Sequence, residues 1–166
     1  MVMPLAQEKT DKSRISLKVA DVMVKDVIMI DENASVKKAA NIMNQHEIGS
    51  IIAKKNGKAV GIITERDLLK RIIAEGKDAK RVKVKDAMST PLTAVIPSMD
   101  LEEAARLMFE KKIKKLPVID QNKIVGLLSL TDIARCQPRI VKLLQVLMAT
   151  RETPKSIKKV LDYYIV

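Results

Sequence analysis

The chain has 166 residues, a length that fits one domain or two small modules fused together. Only 2% of the residues are aromatic while 47% are hydrophobic, so we expect a core of aliphatic side chains and methionine. A single cysteine excludes an internal disulfide, and one cysteine with one histidine cannot build a structural zinc site.

The net charge of +11 favours an anionic partner, such as nucleotide phosphates, nucleic acid or an acidic protein. A lysine-rich solvated surface would give the same charge. No apolar run approaches the roughly 20 residues of a membrane span. Residues 1–18 lack the apolar centre of a signal peptide, so we expect a cytoplasmic protein with a mobile N-terminal arm.

The first part of the chain predicts a strand, a helix, two strands and a helix, in that order, at 27–30, 36–43, 50–54, 58–63 and 64–74. Ser35 suits the N-cap of the first helix. Asn56-Gly57 is a strong hairpin signal between the two neighbouring strands. Gly76 follows the second helix, where a glycine commonly ends one.

The second part predicts the same order of elements, at 92–96, 101–111, 116–119, 123–128 and from Ser129 onward. Asp100 is the expected N-cap of its first helix, and Glu103 would complete a capping box. Between the two parts, 77–83 is a charged linker. Pro138 suits a first helical turn, and 140–148 is apolar on nearly every side, so a C-terminal helix should cover the core or an oligomer interface.

The order of elements repeats because the sequence itself is duplicated. Gly61-Ile62-Ile63-Thr64-Glu65-Arg66-Asp67-Leu68 returns as Gly126-Leu127-Leu128-Ser129-Leu130-Thr131-Asp132-Ile133, an offset of 65 positions. The same offset carries Asp21-Val22-Met23 onto Asp86-Ala87-Met88. Because a lone module of about 60 residues buries little surface, we expect the two copies to pack together and share a core.

Each copy ends in a glycine, two apolar residues, a hydroxyl and an acid three residues later. Thr64 with Asp67, and Ser129 with Asp132, have the spacing of helix capping boxes. The same groups could also form a ligand site, since a helix start can seat a phosphate and a carboxylate can accept both hydroxyls of a ribose. The glycine would then allow a close approach to the backbone.

These motifs resemble the CBS domain, named for cystathionine beta-synthase. The resemblance runs from residue 19 to about 135 and is carried by five stretches, 19–23, 61–68, 84–88, 114–118 and 126–133. It implies an α+β fold of two β-α-β-β-α repeats packed with pseudo-two-fold symmetry, followed here by a C-terminal helical extension. With the repeats at 19–76 and 84–136 and the linker at 77–83, the resemblance leaves the arm (1–18) and the helical extension (137–166) unexplained.

The resemblance also implies two clefts for an adenosine ligand: AMP, ADP, ATP or S-adenosylmethionine. In such a cleft the acid takes the ribose hydroxyls, and the Thr or Ser takes phosphate. The implied binding residues are Thr64, Arg66 and Asp67 in the first repeat, and Lys114, Lys115, Pro117, Ser129 and Asp132 in the second. Gly49, Ser50 and Ile52 replace the two lysines and the proline in the first repeat. We therefore expect two related clefts of unequal affinity.

The sequence shows neither a Ser-His-Asp set nor a phosphate-binding P-loop, so we interpret the chain as a non-enzymatic nucleotide sensor without a catalytic cofactor. The resemblance implies a homodimer, with a regulated protein as a further partner. Two alternatives remain at this point. The charge would suit a nucleic-acid-binding protein, although few aromatic residues are available to stack on bases. The chain could also be a ligand-free structural subunit that docks onto an enzyme or a transporter.

Overall fold

The computed structural model describes residues 17–140. The first part of this range contains α1 (Val19–Val22), β1 (Met29–Asp31), α2 (Val36–Gln45), β2 (Ser50–Lys55), β3 (Lys58–Thr64), α3 (Glu65–Leu68) and a π-helical turn (Leu69–Ile73). The second part contains α4 (Val84–Ala87), α5 (Leu101–Lys111), β4 (Lys115–Asp120), β5 (Lys123–Ser129) and α6 (Leu130–Cys136). Residues 138–140 are helical, as Pro138 predicts. The predicted arm up to residue 16 and the predicted helical extension beyond residue 140 lie outside the described residues.

Both predicted hairpins form. In the first sheet β1 pairs parallel to β2, and β2 pairs antiparallel to β3; the second sheet is the β4–β5 hairpin. The two turns use Asn56 and Gly57 (φ 49° and 78°) and Gln121 and Asn122 (φ 46° and 62°). Two consecutive positive φ values match the right-handed twist of the flanking strands, which explains why asparagine and glycine are found there.

The strand predicted at 92–96 is wrong. Only Val95 pairs with the neighbouring hairpin, through its N–H to the Pro117 carbonyl (3.0 Å) and its carbonyl to the Ile119 N–H (2.8 Å). Pro91 and Pro97 bracket the segment and have no N–H to donate to a ladder. The fold is therefore α+β with two repeats, but the second sheet lacks a full counterpart of β1.

The described residues contain two hydrophobic cores instead of the single shared core that the sequence predicted. The first core lies between α2 and the first sheet, and the second lies between α5, α6 and the β4–β5 hairpin. Each is aliphatic apart from methionine and Phe109 in the second, as the composition predicts. The two repeats therefore do not form one continuous core.

The opening helices join the two halves because each packs on the other repeat. Val19 of α1 is fully buried in the second core, while Val84 of α4 is fully buried in the first. The segment after α1 also packs on the other repeat, since Val24 and Leu127 are joined by two backbone hydrogen bonds of 2.9 Å. The segment after α4 pairs in the same way with β3. Neither half is complete without the opening helix of the other.

The predicted capping box at the start of α5 is also wrong. Asp100 is the N-cap residue, but its side chain accepts no hydrogen bond from the start of the helix. Its carboxylate instead accepts a hydrogen bond of 2.8 Å from Lys18 Nζ, next to α1. At α2, by contrast, Ser35 caps as expected and accepts from the Lys38 N–H at 3.2 Å.

Candidate functional site: two half-sites between the repeats

The strands β2 and β4 each turn one face away from their own core. Leu116 and Val118 point into the second core, so Lys115 and Pro117 point to the opposite face of the hairpin. Pro117 is buried there, and β5 contacts β3 of the other half. The predicted residues Lys115 and Pro117 therefore lie on the face where the two repeats meet.

The motif glycines are needed because the exchanged segments cross directly over them. A Cβ at Gly61 would lie 2.6 Å from Met88 Sδ and 2.9 Å from the backbone oxygen of Ser89. A Cβ at Gly126 would collide in the same way with the side chain of Met23. The predicted close approach is thus made by the other repeat's Asp-x-Met segment.

Both hydroxyl–acid pairs form capping boxes. Asp67 Oδ2 accepts from Thr64 Oγ1 (2.7 Å) and from the Thr64 N–H (2.9 Å), while the Asp67 N–H donates to Thr64 Oγ1. Ser129 and Asp132 repeat the arrangement, with a distance of 2.5 Å between Ser129 Oγ and Asp132 Oδ2. One oxygen of each carboxylate therefore holds the start of a helix. Only the other oxygen, Oδ1, is left for a further partner.

In the first half-site, which we define as Thr64 and Asp67, Oδ1 has partners. Arg71 NH2 lies 3.4 Å from it, and Ser89 Oγ donates to it at 3.5 Å. The same guanidinium donates through NH1 to the carbonyls of Ala87 and Met88, both at 2.6 Å. We call Arg71 with these partners the Arg71 clamp. It leaves only 13% of the Asp67 side chain exposed.

In the second half-site, Ser129 and Asp132, the clamp has no equivalent. The offset of 65 positions places Cys136 where Arg71 stands and Val24 where Ser89 stands. Val24 has no side-chain donor and is 51% exposed, and Cys136 is exposed. Within residues 17–140, Asp132 Oδ1 accepts no hydrogen bond and forms no ion pair.

Lys115 reaches from the second half toward the first. Its Nζ would stand 3.4 Å from a Cβ built on Gly49, and Glu65 Oε2 would stand 2.9 Å from the same point. Burial lowers the pKa of Lys115; the nearby carboxylates of Glu65 and Asp132 oppose that shift, and Lys114 adds to it. Within the described part of the chain its ammonium forms no ion pair. A half-buried cation thus lies between the acids of both repeats.

The remaining predicted residues are less central. Arg66 is exposed on α3. Lys114 is half-buried, and its carbonyl accepts from the Leu130 N–H at 2.8 Å. Sequence reasoning missed Glu65, Arg71 and Ser89. Arg71 could have been found, because it lies four residues after Asp67, the usual spacing of a helical ion pair. Ser89 carried no such signal, since only the exchange of segments brings it to Asp67.

Other kinds of site find no support in residues 17–140. No group of three or more His, Cys, Asp or Glu side chains there could hold a metal ion, and none of the described helices has the length and apolar character needed to cross a membrane. A surface concavity is lined by Asp100, Glu102, Glu103 and Arg106. It shares no residue with either half-site.

The chain is similar in sequence to known proteins with CBS domains. The family model "CBS domain" matches residues 19–74 and 84–139. The chain is 38% identical over 116 residues to the CBS domain-containing protein YhcV of Bacillus subtilis, covering 70% of this chain and 82% of that protein. It is 30% identical over 131 residues to inosine-5'-monophosphate dehydrogenase of Methanocaldococcus jannaschii, covering 78% of this chain but only 25% of that enzyme.

A solved structure of a CBS domain pair is also similar to this chain. The CBS domain pair of protein MJ0100, in complex with 5-methylthioadenosine and S-adenosyl-L-methionine, superposes with a TM-score of 0.67 at 28% identity. The superposition covers 73% of this chain and 95% of that one.

Proposed function

The chain belongs to the CBS domain family, and we propose that it is a non-enzymatic sensor of an adenosine ligand, bound at Ser129, Asp132 and Lys115. The candidates are AMP, ADP, ATP and S-adenosylmethionine. The observation that carries the proposal is the oxygen Oδ1 of Asp132, which has no partner in the described residues although Oδ2 of the same carboxylate is engaged by Ser129.

The chemistry of the second half-site suits the parts of such a ligand. An ionised carboxylate accepts hydrogen bonds only, so Asp132 can receive the hydroxyls of a ribose. Lys115 supplies an ammonium without an ion-pair partner in the described chain, a fit for phosphate or for a carboxylate on the ligand. Val24 adds exposed apolar surface against which a base can pack.

A related protein supports the ligand class. The MJ0100 domain pair binds S-adenosyl-L-methionine and 5-methylthioadenosine, both of which carry a ribose and an adenine. These two ligands differ in charge, so they do not indicate which group of the ligand would face Lys115. Asp132, as the acceptor for ribose, would serve every candidate.

Sensing requires that the ligand bind one arrangement of the two repeats more tightly than another. Lys115 of the second repeat lies near Glu65 of the first, so an anionic group bound at Lys115 would change the charge balance across the contact between the repeats. The regulated protein would then recognise the arrangement that the ligand favours.

We also infer that the chain forms a homodimer. The π-helical turn exposes Leu69 (61%) and Ile73 (68%), which are four residues apart and share one side. Burying these two side chains against a second copy would remove exposed apolar surface from water, which favours association. Sedimentation equilibrium should give the mass of a dimer, and Leu69→Lys with Ile73→Lys should give a monomer. A monomeric wild-type chain would contradict the inference.

The function is tested by calorimetry. AMP, ADP, ATP and S-adenosylmethionine are titrated separately into the full chain after bound nucleotide has been removed and its absence verified by native mass spectrometry. We expect at least one ligand to bind with micromolar affinity. If none of the four produces heat or a mass shift, the chain is not an adenosine sensor.

A further inference from the structure

We propose that Arg71 closes the first half-site, so that each chain takes one adenosine ligand at the second half-site instead of two. The inference rests on the proposed function and names the residue that sets its stoichiometry. It starts from a difference between two carboxylates with the same local motif.

The oxygen of Asp67 that a ribose would need already has partners. Asp67 Oδ2 is engaged in the capping box, as Asp132 Oδ2 is. Asp67 Oδ1 already faces Arg71 NH2 at 3.4 Å and Ser89 Oγ at 3.5 Å. A ligand hydroxyl would have to take the place of the guanidinium, whose positive charge attracts the carboxylate in a way that a neutral hydroxyl does not.

Backbone carbonyls of the other repeat hold the Arg71 guanidinium in place. NH1 donates to the carbonyls of Ala87 and Met88, both at 2.6 Å, where α4 ends. These carbonyls belong to the opening helix of the other repeat. Moving Arg71 aside would therefore leave the end of an exchanged helix without its donors, so the clamp is fixed from two directions.

The backbone around Arg71 also differs from that of the second repeat. Arg71 lies in the π-helical turn, where the Ala74 N–H bonds the Leu69 carbonyl five residues earlier at 2.9 Å. A single π turn inside a helix is uncommon and often marks a functional position. The offset of 65 carries the π-helical turn onto residues 134–138, where the regular helix α6 ends at Cys136, the residue that matches Arg71. The two repeats thus differ in backbone and in side chain at the same point.

The clamp can be tested by ligand stoichiometry. Arg71→Met keeps the aliphatic stem and removes the donors, and Cys136→Met places the same residue at the equivalent position of the other repeat as a control. With whichever adenosine ligand binds the wild type, native mass spectrometry should count one ligand per wild-type chain, two per Arg71→Met chain and one per Cys136→Met chain. Two ligands per wild-type chain would overturn the proposal.

A second measurement needs no ligand and separates failure of the clamp from failure of the proposed function. Carbodiimide labelling of carboxylates, read by peptide mass spectrometry, should modify Asp132 faster than Asp67 in the wild type. Arg71→Met should raise the rate at Asp67 and leave Asp132 unchanged. Near-ultraviolet circular dichroism and a thermal melt establish that the variant is folded. Equal labelling of Asp67 in the wild type and in a folded Arg71→Met chain would contradict the clamp, whether or not a nucleotide binds.

Discussion

The two half-sites begin with the same motif and differ in the residues around it. Thr64–Asp67 and Ser129–Asp132 form matching capping boxes. Outside the box, the first acid is held by Arg71 and Ser89, while the second has neither partner because Cys136 and Val24 occupy those places. The repeated residues therefore account for how each helix starts. The residues that differ decide which carboxylate a ligand can reach.

The largest expected effect comes from removing the charge of Asp132. Asp132→Asn keeps an acceptor for the capping box but weakens the contacts to a ribose. Hydrogen bonds to charged groups contribute about 1.5–3 kcal/mol, so affinity for the adenosine ligand should fall by about 10- to 100-fold, at tenfold per 1.4 kcal/mol. Calorimetric titration of wild type and variant measures this loss.

Asp67→Asn is the matched control for that experiment. It changes the same position of the same motif, so any loss of helix capping is common to both variants. We expect its affinity to stay near the wild-type value, because the Arg71 clamp already occupies Asp67. A loss at Asp67→Asn as large as at Asp132→Asn would show that the two half-sites bind alike.

The next largest effect is a loss of stability at the glycines that both repeats share. Gly61→Ala and Gly126→Ala each place a methyl group against a crossing segment of the other repeat, and overpacking of this kind costs about 1–3 kcal/mol. At Gly61 the obstacles are Met88 Sδ at 2.6 Å and the Ser89 backbone oxygen at 2.9 Å. We expect both variants to lower the free energy of unfolding in urea by similar amounts.

A double variant separates the side-chain clash from the backbone clash. Met88→Ala makes room beside Gly61, so the effects of Gly61→Ala and Met88→Ala should not add when they are combined. Full additivity would show that the Met88 side chain does not limit the space at Gly61, and the Ser89 backbone oxygen would then be the only obstacle of the two.

Local patterns predicted the individual elements of the fold well. The hairpin at Asn56-Gly57 and the helix after Ser35 depend on turn geometry and capping, which neighbouring residues decide. The strand at 92–96 failed because apolar periodicity does not register that the flanking prolines lack donors. The exchange of α1 and α4 was missed because an offset shows which segments match, while tertiary packing decides which sheet each one joins.

The candidate site also contains residues that local sequence predicted and contacts that only tertiary packing creates. The pairs at Thr64–Asp67 and Ser129–Asp132 were found because hydroxyl and acid lie three residues apart in sequence. Their expected inequality was tied to Lys114, Lys115 and Pro117 in the second repeat and to Arg66 in the first. In the structure the clearest difference is instead the Arg71 clamp on Asp67, which includes Ser89 of the other repeat. Their roles in binding remain predictions.

The smallest expected effect concerns Lys115, which has no charged counterpart in the first half because Ser50 occupies the matching position. Burial lowers its pKa below the ordinary value of 10.5, so between the lowered pKa and 10.5 the unfolded chain binds more protons than the folded one. The free energy of unfolding should therefore rise with pH across that window, where the cost of burying the ammonium disappears. At neutral pH that cost is fully present.

Lys115→Met should abolish this rise and leave the free protein at least as stable at neutral pH, while Lys114→Met serves as the control on the neighbouring lysine. Urea midpoints for the three chains at neutral and alkaline pH measure the difference. For a phosphate-bearing ligand the sign is opposite, because phosphate favours the ammonium and affinity should fall as pH rises through the pKa of Lys115. A wild-type curve parallel to that of Lys115→Met would mean that the lysine is solvated, and the second half-site would then differ from the first only in the clamp.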